Sequence, residues 1–78
     1  MLVKPALPYL DIVALLHERF PLPIVAYQVS GEYAMLKAGA AAKAFNEQEA
    51  FYECCLGIKR AGAQLIISYY ATELAKIL

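Results

Sequence analysis

The segment Ile24-Val25-Ala26-Tyr27-Gln28-Val29 is nearly continuously apolar and rich in β-branched residues. Strands covered on both faces, as in a parallel sheet packed between helices, have this composition. Ser30-Gly31-Glu32 follows directly and ends the strand. Ser30 is a natural N-cap for a helix over the alanine-rich residues 33–44. A buried strand that runs straight into a capped helix indicates an α/β fold.

On the amino-terminal side, the sequence predicts one further strand and one helix. Met1-Leu2-Val3 is a short apolar run that stops at Lys4-Pro5, and because proline cannot donate to a ladder, we expect the strand to end at Lys4. Asp11 is then expected to cap a helix. Apolar residues recur at helical spacing from Ile12 to Phe20, and two prolines follow.

On the carboxyl-terminal side, the sequence predicts a helix, a strand and a short final helix. Asn46 and Glu49 form a capping-box pattern at the start of the first helix, and Gly62 fits the left-handed position just past its end. Residues 64–70 are expected to form the strand, and residues 72–78 the final helix. The expected buried face of the first helix consists of Phe51, Cys54 or Cys55, and Ile58.

The resulting order is strand, helix, strand, two helices, strand, helix. Such alternation predicts right-handed βαβ units and a parallel sheet. A (β/α)8 TIM barrel has eight strands in about 250 residues, so these three strands correspond to about a third of a barrel. We therefore expect residues 1–78 to be one incomplete domain made of about three βα units.

Composition and charge exclude several classes of function. Lys+Arg and Asp+Glu count seven each, so the positive excess needed by a nucleic-acid binder or a polybasic membrane patch is missing. Hydrophobic residues make up 62% of the chain, yet no run approaches the roughly 20 apolar residues of a transmembrane helix. No secretory signal is recognisable, and the adjacent Cys54 and Cys55 do not form a disulfide framework. These features predict a cytoplasmic protein.

Candidate site residues follow from the expected strand ends, because α/β barrels bind ligands at the carboxyl ends of their strands. These ends carry Lys4, Ser30-Gly31-Glu32 and Ser68-Tyr69-Tyr70. Desolvation at an apolar barrel mouth favours a neutral lysine amine, the form that makes Schiff bases. The alternative, favoured by the pattern alone, is that Lys4 simply extends into water from a loop. A serine at a helix N-terminus can bind a carboxylate or phosphate besides capping the helix.

Neighbouring polar residues are weaker candidates. Tyr69 and Tyr70 alternate in the expected strand, so one should face inward and the other outward. Glu32 is expected to be a favourable charge at a helix N-terminus, and His17 to lie on a solvated helix face. The pair Cys54-Cys55 lacks metal-ligand spacing and is expected to pack inside a helix interface.

Three stretches resemble the porphobilinogen synthase family, also called 5-aminolevulinate dehydratases. Residues 3–12, VKPALPYLDI, resemble the segment around the family's Schiff-base lysine. Residues 22–35, LPIVAYQVSGEYAM, resemble its next strand and turn, and residues 58–70, IKRAGAQLIISYY, its last strand. The similarity runs in order from Met1 to Leu78.

The resemblance implies the carboxyl-terminal portion of a (β/α)8 barrel enzyme that assembles as an octamer. Such an enzyme condenses two molecules of 5-aminolevulinate to porphobilinogen, with loss of two waters, on the route to haem and other tetrapyrroles. By resemblance, Lys4 forms an imine with one substrate, and Ser30 and Tyr69 bind the carboxylate of the other. The resemblance also implies zinc or magnesium in the parent enzyme, bound by residues outside this chain, and it assigns no metal to Cys54 or Cys55.

We expect the isolated chain to be inactive, because the family's other active-site lysine, its substrate-binding arginines and its metal-binding loop have no counterpart here. We also expect it to self-associate, since a small sheet with open edges hardly offsets a conformational entropy cost on the order of 100 kcal/mol. Two other functions stay open: a different Schiff-base barrel lyase, such as an aldolase, and a non-catalytic interaction module.

Overall fold

A computed structural model describes residues 1–77 as a three-stranded sheet whose helices pack on one face. The order of elements along the chain is the predicted one, with an additional 3-10 turn between the first strand and the first helix. The strands are β1 (Leu2–Val3), β2 (Val25–Gln28) and β3 (Leu65–Ser68), the 3-10 turn is Leu7–Tyr9, and the helices are α1 (Leu10–Arg19), α2 (Ser30–Ala41), α3 (Glu47–Ala61) and α4 (Ala71–Ala75).

Both strand pairs are parallel, as the alternation of strands and helices predicts. β2 is the central strand, and its Ala26 pairs with Val3 on one side and with Ile66 on the other. The side chains of this row face the helices, since Val3 and Ala26 are buried in the same cluster as Val13 and Ile58. Because all three strands are parallel, their carboxyl ends lie at one edge of the sheet.

The main core lies between the sheet and the helix layer. Val3 and Ala26 of the sheet are buried with Val13 of α1 and Ile58 of α3. The opposite face of the sheet is open: Leu65 is 64% exposed and Ile67 is 50% exposed. No element of residues 1–77 covers that face, so the prediction that β2 is buried on both faces is wrong for these residues.

A second core cluster supports the carboxyl edge of the sheet. The rings of Phe51 in α3 and Tyr70 stack with centroids 3.8 Å apart and planes within 4°. Leu74 of α4 completes the buried cluster, and Tyr33 of α2 packs on Phe51 at 5.7 Å. This aromatic cluster fixes the first turns of α2 and α4 against α3, next to the strand ends.

Two predicted helix caps are wrong. Asp11 lies in the first turn of α1, because the 3-10 turn runs directly into the helix and Tyr9 occupies the N-cap position. Ser30 is the first residue of α2, with Val29 at the N-cap. The cap at Asn46 is confirmed, since its Oδ1 accepts a hydrogen bond of 3.0 Å from the backbone N–H of Glu49.

The ends of α3, β3 and α4 agree only in part with the predicted ones. Gly62 has φ +124°, which confirms the predicted left-handed position after α3. β3 ends at Ser68, two residues before the predicted end of the strand, and α4 is shorter than predicted. The predicted end of that helix, Leu78, lies outside the described residues. None of the helices within residues 1–77 combines the length and the apolar character needed to cross a bilayer.

Candidate functional site

A groove of about 400 Å³ opens at the carboxyl edge of the sheet. Ser30 borders it from the first position of α2, directly after β2, and Tyr69 borders it from the turn after β3. Tyr33, Ala34 and Lys37 supply the remaining wall from α2. Parallel pairing of β2 and β3 thus brings together two of the three site residues predicted from the sequence, although they are 39 positions apart in the sequence.

The third predicted residue, Lys4, lies at the same edge of the sheet but does not line the groove. It follows β1 directly, is exposed, and is joined to Pro5 by a cis peptide bond. The pairing of β1 with β2 ends at Val3 and Ala26, so Lys4 leaves the sheet at its carboxyl edge, where β2 continues to Gln28. Lys4, Ser30 and Tyr69 therefore occupy the ends of three adjacent strands.

Tyr27 is a site residue that the sequence reasoning missed. Its hydroxyl lies 3.2 Å from the hydroxyl of Tyr69, within hydrogen-bonding distance. This hydrogen bond raises the pKa of Tyr27 above its ordinary value, with smaller contributions from burial and from the charge of Tyr69. The sequence did contain a signal for its position, because side chains alternate along β2 and Tyr27 therefore lies on the face opposite Ala26.

Tyr69 and Tyr70 point in opposite directions, as predicted, but both follow β3 instead of belonging to it. Tyr69 is 58% exposed beside the groove, and its ring meets Tyr33 edge-on at 5.7 Å. Tyr70 is buried, and its hydroxyl donates a hydrogen bond of 3.1 Å to Glu47. Burial and this hydrogen bond raise the pKa of Tyr70. Only Tyr69 is therefore accessible to a ligand.

Lys37 contributes a positive charge to the rim of the groove. Its ammonium lies 3.0 Å from a carboxylate oxygen of Glu47 and 5.8 Å from the centroid of the Tyr33 ring. The ion pair raises the pKa of Lys37 and lowers the pKa of Glu47. Ser30, Tyr33 and Lys37 follow the i, i+3, i+7 spacing of one helix face, a pattern that could have identified Lys37 from the sequence.

Glu32 lies in the first turn of α2, where a favourable charge at a helix N-terminus was predicted. The sequence did not indicate its burial, since it is only 5% exposed. Its carboxylate accepts backbone hydrogen bonds from Ala6 at 3.1 Å, Leu7 at 2.7 Å and Val29 at 2.7 Å. The side chain joins the loop that follows Lys4 to the turn that precedes Ser30. No local sequence pattern could have shown this, because two of the donors lie 25 and 26 residues away.

The cysteines and the histidine provide no metal site. Cys54 and Cys55 are half-buried in α3, and burial raises the pKa of Cys55 to about 11. A high pKa disfavours the thiolate, which is the form that binds metals. His17 is exposed, as predicted. Within residues 1–77, no group of three or more His, Cys, Asp or Glu side chains could hold a metal ion.

Comparison with known proteins identifies a single family. A sequence model of delta-aminolevulinic acid dehydratase matches residues 1–77. The chloroplastic delta-aminolevulinic acid dehydratase of Pisum sativum is 54% identical over 78 residues, which is the whole chain and 20% of that protein. A dehydratase of Archaeoglobus fulgidus is 55% identical over 97% of this chain and 23% of its own length. The chain thus spans about a fifth of the length of these curated relatives.

A solved structure shows the same fold. The crystal structure of Toxoplasma gondii delta-aminolevulinic acid dehydratase (porphobilinogen synthase), in complex with the reaction product porphobilinogen, matches with a TM-score of 0.96 and 49% identity. The match covers 99% of this chain and 22% of that one. The predicted fold is confirmed: the chain is a piece of a (β/α)8 barrel.

The prediction of a cytoplasmic protein is wrong. Relatives from several plants, Pisum sativum and Arabidopsis thaliana among them, are chloroplastic, whereas the name of the Archaeoglobus fulgidus protein gives no compartment. The charge and cysteine content of a barrel segment depend on its packing and carry no information about the compartment of the whole protein.

Proposed function

Because the chain belongs to the delta-aminolevulinic acid dehydratase family, we propose that it forms part of the active site of an enzyme that condenses two molecules of 5-aminolevulinate to porphobilinogen, with loss of two waters. The observation that carries this proposal is the convergence of Lys4, Ser30 and Tyr69 on one edge of a parallel sheet. The porphobilinogen bound to the Toxoplasma gondii relative supports the substrate class.

Lys4 acts as the nucleophile in this proposal. Its neutral amine attacks the ketone carbon of one 5-aminolevulinate, a C–N bond forms, and the ketone oxygen leaves as water to give an imine. The position of Lys4 directly after β1, at the carboxyl edge of the sheet, supports this role. In a closed barrel that edge forms the mouth of the barrel, where apolar surroundings favour a neutral lysine amine.

Ser30 and Tyr69 bind the carboxylate of the other substrate. Both side chains can donate a hydroxyl hydrogen, and both border the same groove. Ser30 lies at the first position of α2, where unpaired backbone N–H groups and the helix dipole favour an anion. The Tyr27 hydroxyl lies within hydrogen-bonding distance of the Tyr69 hydroxyl, while the Lys37 ammonium at the rim is paired with the carboxylate of Glu47.

The complete enzyme in this proposal is a homo-oligomer, an octamer by resemblance, with zinc or magnesium bound outside this chain. The half-buried cysteines of α3 do not fit a metal site, so no step is assigned to a metal here. The chain alone is expected to be inactive, because it spans about a fifth of its relatives. No observation favours an aldolase-type lyase or a non-catalytic module.

A chimera tests the proposal. These 78 residues would replace their counterpart in the Pisum sativum dehydratase, which is 54% identical. We expect the chimera to form porphobilinogen, and borohydride in the presence of 5-aminolevulinate to trap an adduct on Lys4. Lys4→Ala should abolish both, whereas Lys59→Ala, at an exposed position of α3, should leave both unchanged.

Two results would refute the assignment. One is a folded chimera that makes no porphobilinogen. The other is a Lys4→Ala variant that forms porphobilinogen as fast as the unsubstituted chimera. Trapping by aldol substrates instead of 5-aminolevulinate would favour the aldolase alternative.

A further inference from the structure

Glu32 links two backbone segments that each carry a residue of the proposed site. Oε2 of its carboxylate accepts hydrogen bonds from the N–H of Ala6 and the N–H of Val29, and Oε1 accepts one from Leu7. Ala6 lies two residues after Lys4, and Val29 immediately precedes Ser30. One oxygen atom is thus shared by the two segments, which fixes their separation.

We infer that Glu32 is the positioning residue that sets the distance between the imine-forming Lys4 and the carboxylate-binding Ser30. The inference rests on the proposed function and adds a role to a residue that does not touch the substrate. Condensation requires the bound groups of the substrate to be held in one relative geometry, and small displacements of a reacting group cost large factors in rate. A rigid link between the two binding segments serves that requirement.

The link needs a carboxylate. Three backbone donors converge on Glu32, and a carboxylate offers two acceptor oxygens with about four lone-pair sites. A glutamine has one acceptor oxygen and an NH₂ group that only donates. If the glutamine oxygen takes the place of Oε2, the hydrogen bonds from Ala6 and Val29 remain, but the NH₂ group faces the N–H of Leu7. If the oxygen takes the place of Oε1, only the hydrogen bond from Leu7 remains.

The surroundings of Glu32 make the link rigid. The side chain is 5% exposed, so water does not compete freely for its oxygens. Val3 and Ala6, on either side of Lys4, are buried in the main core, so the Lys4 segment is held from both directions. Losing these hydrogen bonds should leave the core packed and should let only the two backbone segments at the sheet edge move relative to each other.

The test compares Glu32→Gln with two control variants in the chimera described above. Glu49→Gln is the matched electrostatic control, because Glu49 occupies the third position of α3 as Glu32 does in α2, but is exposed. Ile58→Val is the stability control, since Ile58 of α3 is fully buried in the main core but belongs to neither segment and takes no part in the hydrogen bonds of Glu32. The measurements are kcat, KM for 5-aminolevulinate, and the rate of borohydride trapping on Lys4 per folded molecule.

We expect Glu32→Gln to lower kcat and the trapping rate at least tenfold, at temperatures where every variant is folded. Glu49→Gln and Ile58→Val should stay within twofold of the unsubstituted chimera. Hydrogen–deuterium exchange of the peptide covering residues 5–9 should become at least tenfold faster in Glu32→Gln only. This measurement reports the link without any reference to activity.

The outcomes separate the two proposals. A chimera that is active and equally active with Glu32→Gln overturns the positioning role and leaves the proposed function intact. Unchanged exchange at residues 5–9 overturns it as well, as does a parallel loss of activity in Glu32→Gln and Ile58→Val. A folded chimera that is inactive before any substitution refutes the proposed function, and the role of Glu32 fails with it.

Discussion

Adjacent tyrosines give the sharpest test of the site, because Tyr69 and Tyr70 differ in environment while sharing their chemistry. Tyr69 is 58% exposed beside the groove, with its hydroxyl 3.2 Å from that of Tyr27. Tyr70 is 2% exposed and donates its hydroxyl to Glu47. Replacing each by phenylalanine removes one oxygen atom and leaves the ring packing in place.

The size of the expected effect follows from the charge of the partner. A hydrogen bond to a charged group contributes about 1.5–3 kcal/mol. Since about 1.4 kcal/mol corresponds to a factor of ten, Tyr69→Phe should raise KM for 5-aminolevulinate about 10- to 100-fold. Because Tyr69 and its hydrogen bond to Tyr27 are exposed, the free energy of unfolding of the Tyr69→Phe variant should change by less than about 0.5 kcal/mol.

Tyr70→Phe should show the reverse pattern. It loses the hydrogen bond to Glu47, so the midpoint of urea unfolding should fall, while KM should stay within twofold. Both variants would be made in the Pisum sativum chimera and compared by steady-state kinetics and urea unfolding. Tyr69 does not bind the substrate carboxylate if Tyr69→Phe leaves KM within threefold, or if Tyr70→Phe raises KM more than Tyr69→Phe does.

Three other predictions concern the same region and its supporting elements. Tyr27→Phe removes a neutral hydrogen bond worth about 0.5–1.5 kcal/mol, so KM should rise about 2- to 10-fold, and combining it with Tyr69→Phe should add little further. Gly62→Ala should lower the free energy of unfolding in urea by about 1–3 kcal/mol, because φ is +124° and a Cβ would lie 2.5 Å from a His17 ring atom. Gly57→Ala should raise the free energy of unfolding by about 0.5–1 kcal/mol, because a Cβ there would have nothing within 4 Å. Burial raises the pKa of Cys55 to about 11, so about one thiol in a thousand is ionised at pH 8. Cys55 should therefore react slowly with iodoacetamide at pH 8 and faster as the pH rises toward 11. Rapid alkylation at pH 8 would contradict the buried environment.

The order of elements and the parallel sheet were predictable because their signals are local. The apolar run of β2, the cap at Asn46 and the turn at Gly62 each depend on a few neighbouring residues. Placement of Ser30 and Tyr69 at strand ends followed from the same patterns, and the resemblance to a family added their expected roles. Of the two wrong caps, Asp11 lies where a 3-10 turn runs directly into α1. At Ser30 the cap position falls one residue earlier, where the N–H of Val29 donates to the side chain of Glu32.

Only the tertiary structure determined which side chains meet at the edge of the sheet. The folded chain brings the hydroxyls of Tyr27 and Tyr69 together across 42 residues, and it brings the carboxylate of Glu32 to the N–H of Ala6 across 26. The sequence contains these residues but not their distances, because a one-residue shift in register turns every side chain of a strand to the other face. The physical reason is that the register is fixed by burial of the Val3, Ala26 and Ile66 row under the helices, a property of the packed chain and of no single segment.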